Sequence, residues 1–180
     1  MYVHEEKKAA FIAHPRTASS ATGHVLLELG FEQRINHHGF KPEMLEVDWT
    51  VISTVRSPFD VLVSWYYHYM RKSHVTDPFC TWLPGFLKMG NPYIDKGMFF
   101  GAPYCTHLLF FESLQDDFNY VMSEIGLPQT EIPRRNVSTK RGGLHWQVYY
   151  DGDAARLVVE HFATEINVHG YPTPGVLETP

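Results

Sequence analysis

The chain has 180 residues, 44% of them hydrophobic, with 15 Lys and Arg set against 20 Asp and Glu. That length fills one domain with a real core and is short for two. The net charge of −5 excludes a bulk basic surface for DNA or RNA, though not a single cationic cleft. No apolar run approaches the roughly 18–20 residues of a membrane span. The start, "MYVHEEKKAAFIAH", has no signal-peptide apolar region. The expectation is a soluble, cytoplasmic protein with Cys80 and Cys105 as reduced thiols.

In chain order, a first strand is expected over Ala9–His14. A helix follows from Ser19 or Ser20, with Val25, Leu26 and Leu29 inward and Gly30 just past its end. A second strand is expected around Gln33–His37. The third is the β-branched run "WTVISTVR", Trp49–Arg56. Ser57, Pro58 and Asp60 then carry the spacing of a helix start, and Val61, Leu62, Trp65 and Tyr69 form the helical stripe. Residues 72–105, rich in Pro, Gly and aromatics, predict one short helix in irregular structure. They either cover the sheet edge or line an acceptor pocket. "THLLFF", Thr106–Phe111, is the fourth strand, and Ser113 with Asp116 reads as a capping box. Its helix buries Phe118, Val121, Met122 and Ile125 and ends at Gly126. A last helix is expected over Asp153–His169, with Leu157, Val158, Phe162 and Ile166 inward. Strands alternating with helices imply an α/β fold: a small parallel β-sheet flanked by helices on both faces. The chain reads as one domain, with 172–180 as a loose tail.

Two strand-to-helix junctions carry chemistry. "PRTASSA", Pro15–Ala21, offers helix-start N–H groups, the hydroxyls of Thr17, Ser19 and Ser20, and the Arg16 guanidinium, all suited to an anion. It lacks the lysine-bearing G-x-x-x-x-G-K-[ST] loop of the ATPases. Arg56 ends the third strand, and Ser64 lies eight residues on, in the next helix. Ligands of parallel sheets bind at the carboxyl ends of strands, so the implied ligand carries two separate anionic groups.

These residues resemble the sulfotransferases that use 3′-phosphoadenosine 5′-phosphosulfate (PAPS). "PRTASS" follows that family's P-[KR]-[ST]-[GA]-[ST]-[ST] turn, and Arg56 with Ser64 follows its R-x₇-S. The likeness extends through "LLFFESLQDDFNYVMSEIGLP" and the closing "HFATEINVHGY". It implies a three-layer P-loop-like fold. It assigns Arg16, Thr17, Ala18, Ser19, Ser20 and Ala21 to the 5′-phosphosulfate, and Arg56 and Ser64 to the 3′-phosphate. "NVSTKRGG", Asn136–Gly143, stands where many members carry an R-K-G loop, which adds Ser138, Lys140 and Arg141. The product is adenosine 3′,5′-bisphosphate (PAP). The family's general base follows the second strand, where "RINHHGF" supplies His38, with His37 as the fallback on the opposite face.

The expected partner is a small-molecule or carbohydrate acceptor, not nucleic acid or a membrane. The 11 histidines show no H-E-x-x-H and no Cys/His ligand spacing, so no metal is expected. Glu112 is a weaker acid/base candidate. Alternative readings are a nucleotide kinase-like enzyme, which would need a magnesium-holding acid near the turn, and a non-catalytic nucleotide-binding module. Arg56→Ala is expected to weaken nucleotides carrying a 3′-phosphate and to spare the others.

Overall fold

The computed structural model describes residues 1–35, 41, 43, 45, 48–73, 76–90, 104–134 and 141–177. The chain divides into two compact units, Met1–Arg56 with Phe100–Asn136, and Ser57–Phe99 with Val137–Pro180.

The first unit is built on a five-stranded sheet. Its strands are β1 (Tyr2–His4), β2 (Ala9–Ile12), β3 (Glu32–Gln33), β4 (Thr50–Val55) and β5 (His107–Phe110), in the order β3-β1-β2-β4-β5. The core β2-β4-β5 is parallel, as the alternation of strands and helices predicts. The sheet as a whole is mixed, which corrects the expectation of a parallel one: β1 runs antiparallel to both β2 and β3. The reason is local. Only residues 5–8 join β1 to β2, too few for a crossover, so a hairpin is the available connection. Lys8 N donates to Glu5 O at 3.1 Å, and Lys8 takes the left-handed φ of 47° that the turn needs. At three residues, Tyr2–His4 is too short for its alternation to register as a pattern.

Side-chain alternation along the strands sorts the unit's core. Ala9, Phe11, Ile52 and Leu109 point to one face. There they meet Val25 and Leu26 of helix α1 (Ser19–Glu28) and Phe118, Val121 and Met122 of helix α4 (Leu114–Glu124). Met1, Val3, Ala10, Ile12, Trp49 and Val51 gather on the other face, with Ile35, Leu45 and Cys105 against them. Both helices stop in the same way. Gly30 and Gly126 take φ of 90° and 70°. Phe31 N then donates to Leu26 O at 3.0 Å, and Leu127 N to Met122 O at 2.8 Å. A side chain at either glycine would be strained, and the bonds satisfy carbonyls that the helix end leaves open. The start of α4 differs from the expected pairing of Ser113 with Asp116. Asp117 takes that place, accepting from Ser113 Oγ at 2.9 Å and from Phe110 N at 2.7 Å.

The second unit contains α2 (Pro58–Ser73), α3 (Phe79–Lys88), α5 (Gly152–His161) and α6 (Ala163–His169), with 3₁₀ turns at Trp146–Tyr149 and Gly175–Leu177. Its core is aromatic: Phe59, Trp65, Tyr66, Phe79, Phe86, Trp146, Tyr150 and Phe162 pack with Leu62, Leu83, Val158 and Ile166. Phe59 stacks on Trp146 at 5.2 Å between ring centroids, and Trp82 on Phe86 at 4.3 Å. Such offset pairs add to the area they bury. Phe79, Trp82 and Phe86 of the aromatic 72–105 stretch therefore belong to this unit's interior. Tyr93, Phe99 and Phe100 lie outside the described residues. The single helix expected over Asp153–His169 is two, broken at Phe162, whose φ and ψ are −119° and 29°. Neither glycine nor proline marks that break in the sequence. Pro174 is buried, and Leu177 packs against the core.

Candidate anion site at the strand ends

The carboxyl ends of β2, β4 and β5 lie side by side along one edge of the sheet. Register pairs Ile12 with Ser53 and Val55 with Phe110, so the residues that leave the sheet next are Ala13, Arg56 and Phe111. Ser53 Oγ donates to Ile12 O at 3.2 Å and extends the β2–β4 link to the strand end.

From β2 the chain enters the turn His14–Ala18. Thr17 Oγ1 donates to His14 O at 2.9 Å, which closes the turn on itself. Arg16 and Ala18 both take left-handed φ, 66° and 61°, while Thr17 between them does not. Where a right-handed residue alternates with a left-handed one, successive backbone N–H groups can turn into one concavity, a nest, that suits an anion. For an L-residue with a side chain the left-handed conformation costs about 1–2 kcal/mol, and no glycine relieves it.

Ala18 is also the N-cap of α1 and supplies no side-chain acceptor. The first helical bonds, from Ala21 N and Thr22 N at 2.8 and 3.1 Å, both end on Ala18 O. No acidic residue stands in the first turn. The helix start therefore keeps the positive end of its dipole uncompensated by acidic side chains of its own. Of the three hydroxyl residues, Thr17 and Ser19 are buried and Ser20 is exposed.

Arg56 is 8% exposed. Its Nη1 donates to Arg16 O at 2.7 Å, and its guanidinium carbon lies 3.8 Å from the centroid of the Phe111 ring. The structure thus brings the arginine of the second motif onto the turn of the first. Phe111 escapes a sequence reading because only the β4–β5 register places it beside Arg56. Glu112 is exposed in the 3₁₀ turn Phe111–Ser113.

In the second unit, Ser64 is half-buried on α2, one helical turn beyond Asp60. Asp60 makes a contact that its capping spacing does not predict. Its Oδ1 accepts from Arg141 Nη1 at 2.7 Å, with the side chains 12% and 18% exposed. Arg141 Nε donates to Leu144 O at 2.7 Å. Tyr150, whose hydroxyl donates to Phe59 O at 2.8 Å, is held well above the ordinary phenol pKa by burial and then by the Asp60 charge. Tyr149 is pushed up to about 12 by burial and by its 2.9 Å hydrogen bond with Tyr67. Both phenols stay protonated at neutral pH and are not bases there.

His37 and His38, and Ser138 and Lys140, lie outside the described residues. Among the described residues no group of three or more His, Cys, Asp or Glu is placed to hold a metal ion. No helix among them is long and apolar enough to cross a membrane. Cys80 and Cys105 are not joined in a disulfide.

No protein-family model matches the chain, and no curated protein or solved structure matches it.

Proposed function

We propose that the chain is a sulfotransferase that moves the sulfuryl group of PAPS to a hydroxyl or amine acceptor. The observation that carries this reading is the Arg56 Nη1 bond to Arg16 O at 2.7 Å. A ligand with an anion at each end of one nucleoside needs two cationic strand ends side by side, and this bond joins them. The nest at Arg16–Ala18 and the start of α1 would take the 5′-phosphosulfate through backbone N–H groups. Arg56 would face the 3′-phosphate. Arg141 spends two of its five N–H donors on Asp60 and Leu144 O.

The acceptor oxygen or nitrogen attacks sulfur in line, its proton passes to His38, and the bridging S–O bond breaks with its electron pair going to PAP. His37 is the fallback base. Arg16 would stabilise the charge that builds on the bridging oxygen, without giving a proton, because a guanidinium does not deprotonate in this range. Such chemistry relies on positioning and fixed charge rather than on covalent intermediates.

The test follows label from sulfur-labelled PAPS into a panel of hydroxyl and amine acceptors. Arg16→Ala is expected to lower the rate about 10²–10³-fold, the usual loss for one transition-state donor. His38→Ala is expected to abolish transfer while PAP still binds. Transfer at the wild-type rate in His38→Ala would remove that residue from the mechanism. No transfer to any acceptor, with PAP unbound, would refute the reading.

A further inference from the structure

We propose that Phe111 is a positioning residue that acts through Arg56 to set the shape of the anion-binding turn, so that anions held by Arg56 and by the turn are energetically coupled. The identity of the two anions rests on the sulfotransferase reading. The linkage itself rests on geometry.

Val55 pairs with Phe110, so Arg56 and Phe111 leave adjacent parallel strands side by side. A guanidinium is planar and weakly hydrated, and it stacks on aromatic faces. The guanidinium carbon lies 3.8 Å over the centre of the Phe111 ring, so the ring limits how the fork can turn. Nη1 reaches Arg16 O at 2.7 Å, a length typical of a charge-assisted bond.

That carbonyl belongs to the peptide whose other side is the Thr17 N–H. In a trans peptide the two point in opposite directions. Holding the Arg16 carbonyl toward Arg56 therefore aims the Thr17 N–H away from Arg56. The same peptide sits between a left-handed Arg16 and the turn to a left-handed Ala18. Strained residues persist where their surroundings over-determine them. Thr17 Oγ1 on His14 O holds the near side of this turn, and Arg56 holds the middle. An anion that draws Arg56 shifts the bond that shapes the nest, and an anion in the nest shifts Arg56. Coupling of this kind is reciprocal. It changes the expectation for Arg56→Ala: nucleotides lacking a 3′-phosphate lose affinity too.

The experiment compares wild type, Phe111→Leu and Phe111→Tyr in the full chain. It measures dissociation constants for PAP and for 5′-AMP, which has no 3′-phosphate. It also measures amide hydrogen exchange without nucleotide. Phe111→Leu is expected to weaken 5′-AMP about three- to tenfold, in line with the loss of one stacked cation. Exchange at Thr17–Ser20 is expected to quicken while β2 and β4 amides keep their rates, and Phe111→Tyr is expected to restore both readouts. Three results would overturn the proposal: unchanged 5′-AMP affinity, unchanged exchange at the turn, or faster exchange throughout the sheet. If wild type binds neither nucleotide, the sulfotransferase reading fails, and the exchange measurement still decides the linkage.

Discussion

Arg56 and Ala18 hold the turn in different ways, one by a contact and one by its own backbone. Arg56 meets a carbonyl and a ring at once, and lysine, a compact ammonium without a planar fork, cannot stack on the ring while it bonds the carbonyl. Arg56→Lys is expected to lower stability by about 1.5–3 kcal/mol, the range for a hydrogen bond to a charged group. Urea unfolding checks this, and a loss below about 0.5 kcal/mol would mean the bond contributes little. Ala18 stands at φ 61° with ψ 13°. Ala18→Gly removes left-handed strain of about 1–2 kcal/mol and adds back about 0.5–1 kcal/mol of unfolded-state freedom. The net expectation is a small gain in stability, with Ala18→Val moving the other way because β-branched residues fit this region worst. A destabilised glycine variant would show that Ala18 packs rather than strains.

At the scale of elements, the caps explain where helices begin. Asp151 caps α5, its carboxylate accepting from Ala154 N at 2.8 Å. That bond is the main reason its pKa is lowered. A depressed carboxylate stabilises the fold above its unfolded value, near 4, and the contribution is lost as pH falls through the lower folded value. Asp151→Ala is therefore expected to cost about 1 kcal/mol at neutral pH, and the gap to wild type to narrow as pH falls below the ordinary aspartate value of about 4 and through the lower folded one. A gap that stayed constant over that range would assign the loss to something other than the charged cap. The Arg141–Asp60 pair makes a different prediction. Breaking it from one side leaves a mostly buried charge, and partial exposure puts the cost near 1–3 kcal/mol, below that of a fully buried pair. Asp60→Leu with Arg141→Met is expected to cost less than the sum of the single changes, measured by a double-mutant cycle. Additive losses would show that the two side chains are not coupled.

Local signals explain which elements the sequence made legible. Gly30 and Gly126 end α1 and α4 where the apolar stripes stop, and Pro58 opens α2 as its fixed φ allows. The break at Phe162 left no local mark, and β1 was too short for a pattern to form. The candidate site divides in the same way. The spacing of Arg16, Arg56 and the hydroxyls lies in the chain and could be read there. The left-handed turn and the Phe111 ring depend on strand register and on contacts across the sequence, which no local pattern encodes.

At the scale of the molecule, the division into two units falls at the Arg56–Ser57 peptide, so the R-x₇-S motif begins in one unit and ends in the other. A ligand that binds the native chain and not the unfolded one raises stability by mass action, by about 2.7 kcal/mol at 100 times its dissociation constant. The most direct test of the central claim is thermal stability with PAP, with 5′-AMP and with ATP plus Mg²⁺, each at matched concentration. The largest rise in Tm is expected with PAP, a smaller one with 5′-AMP, and no advantage for ATP with Mg²⁺ over 5′-AMP. No rise with PAP, or a rise with ATP and Mg²⁺ alone, would contradict the claim.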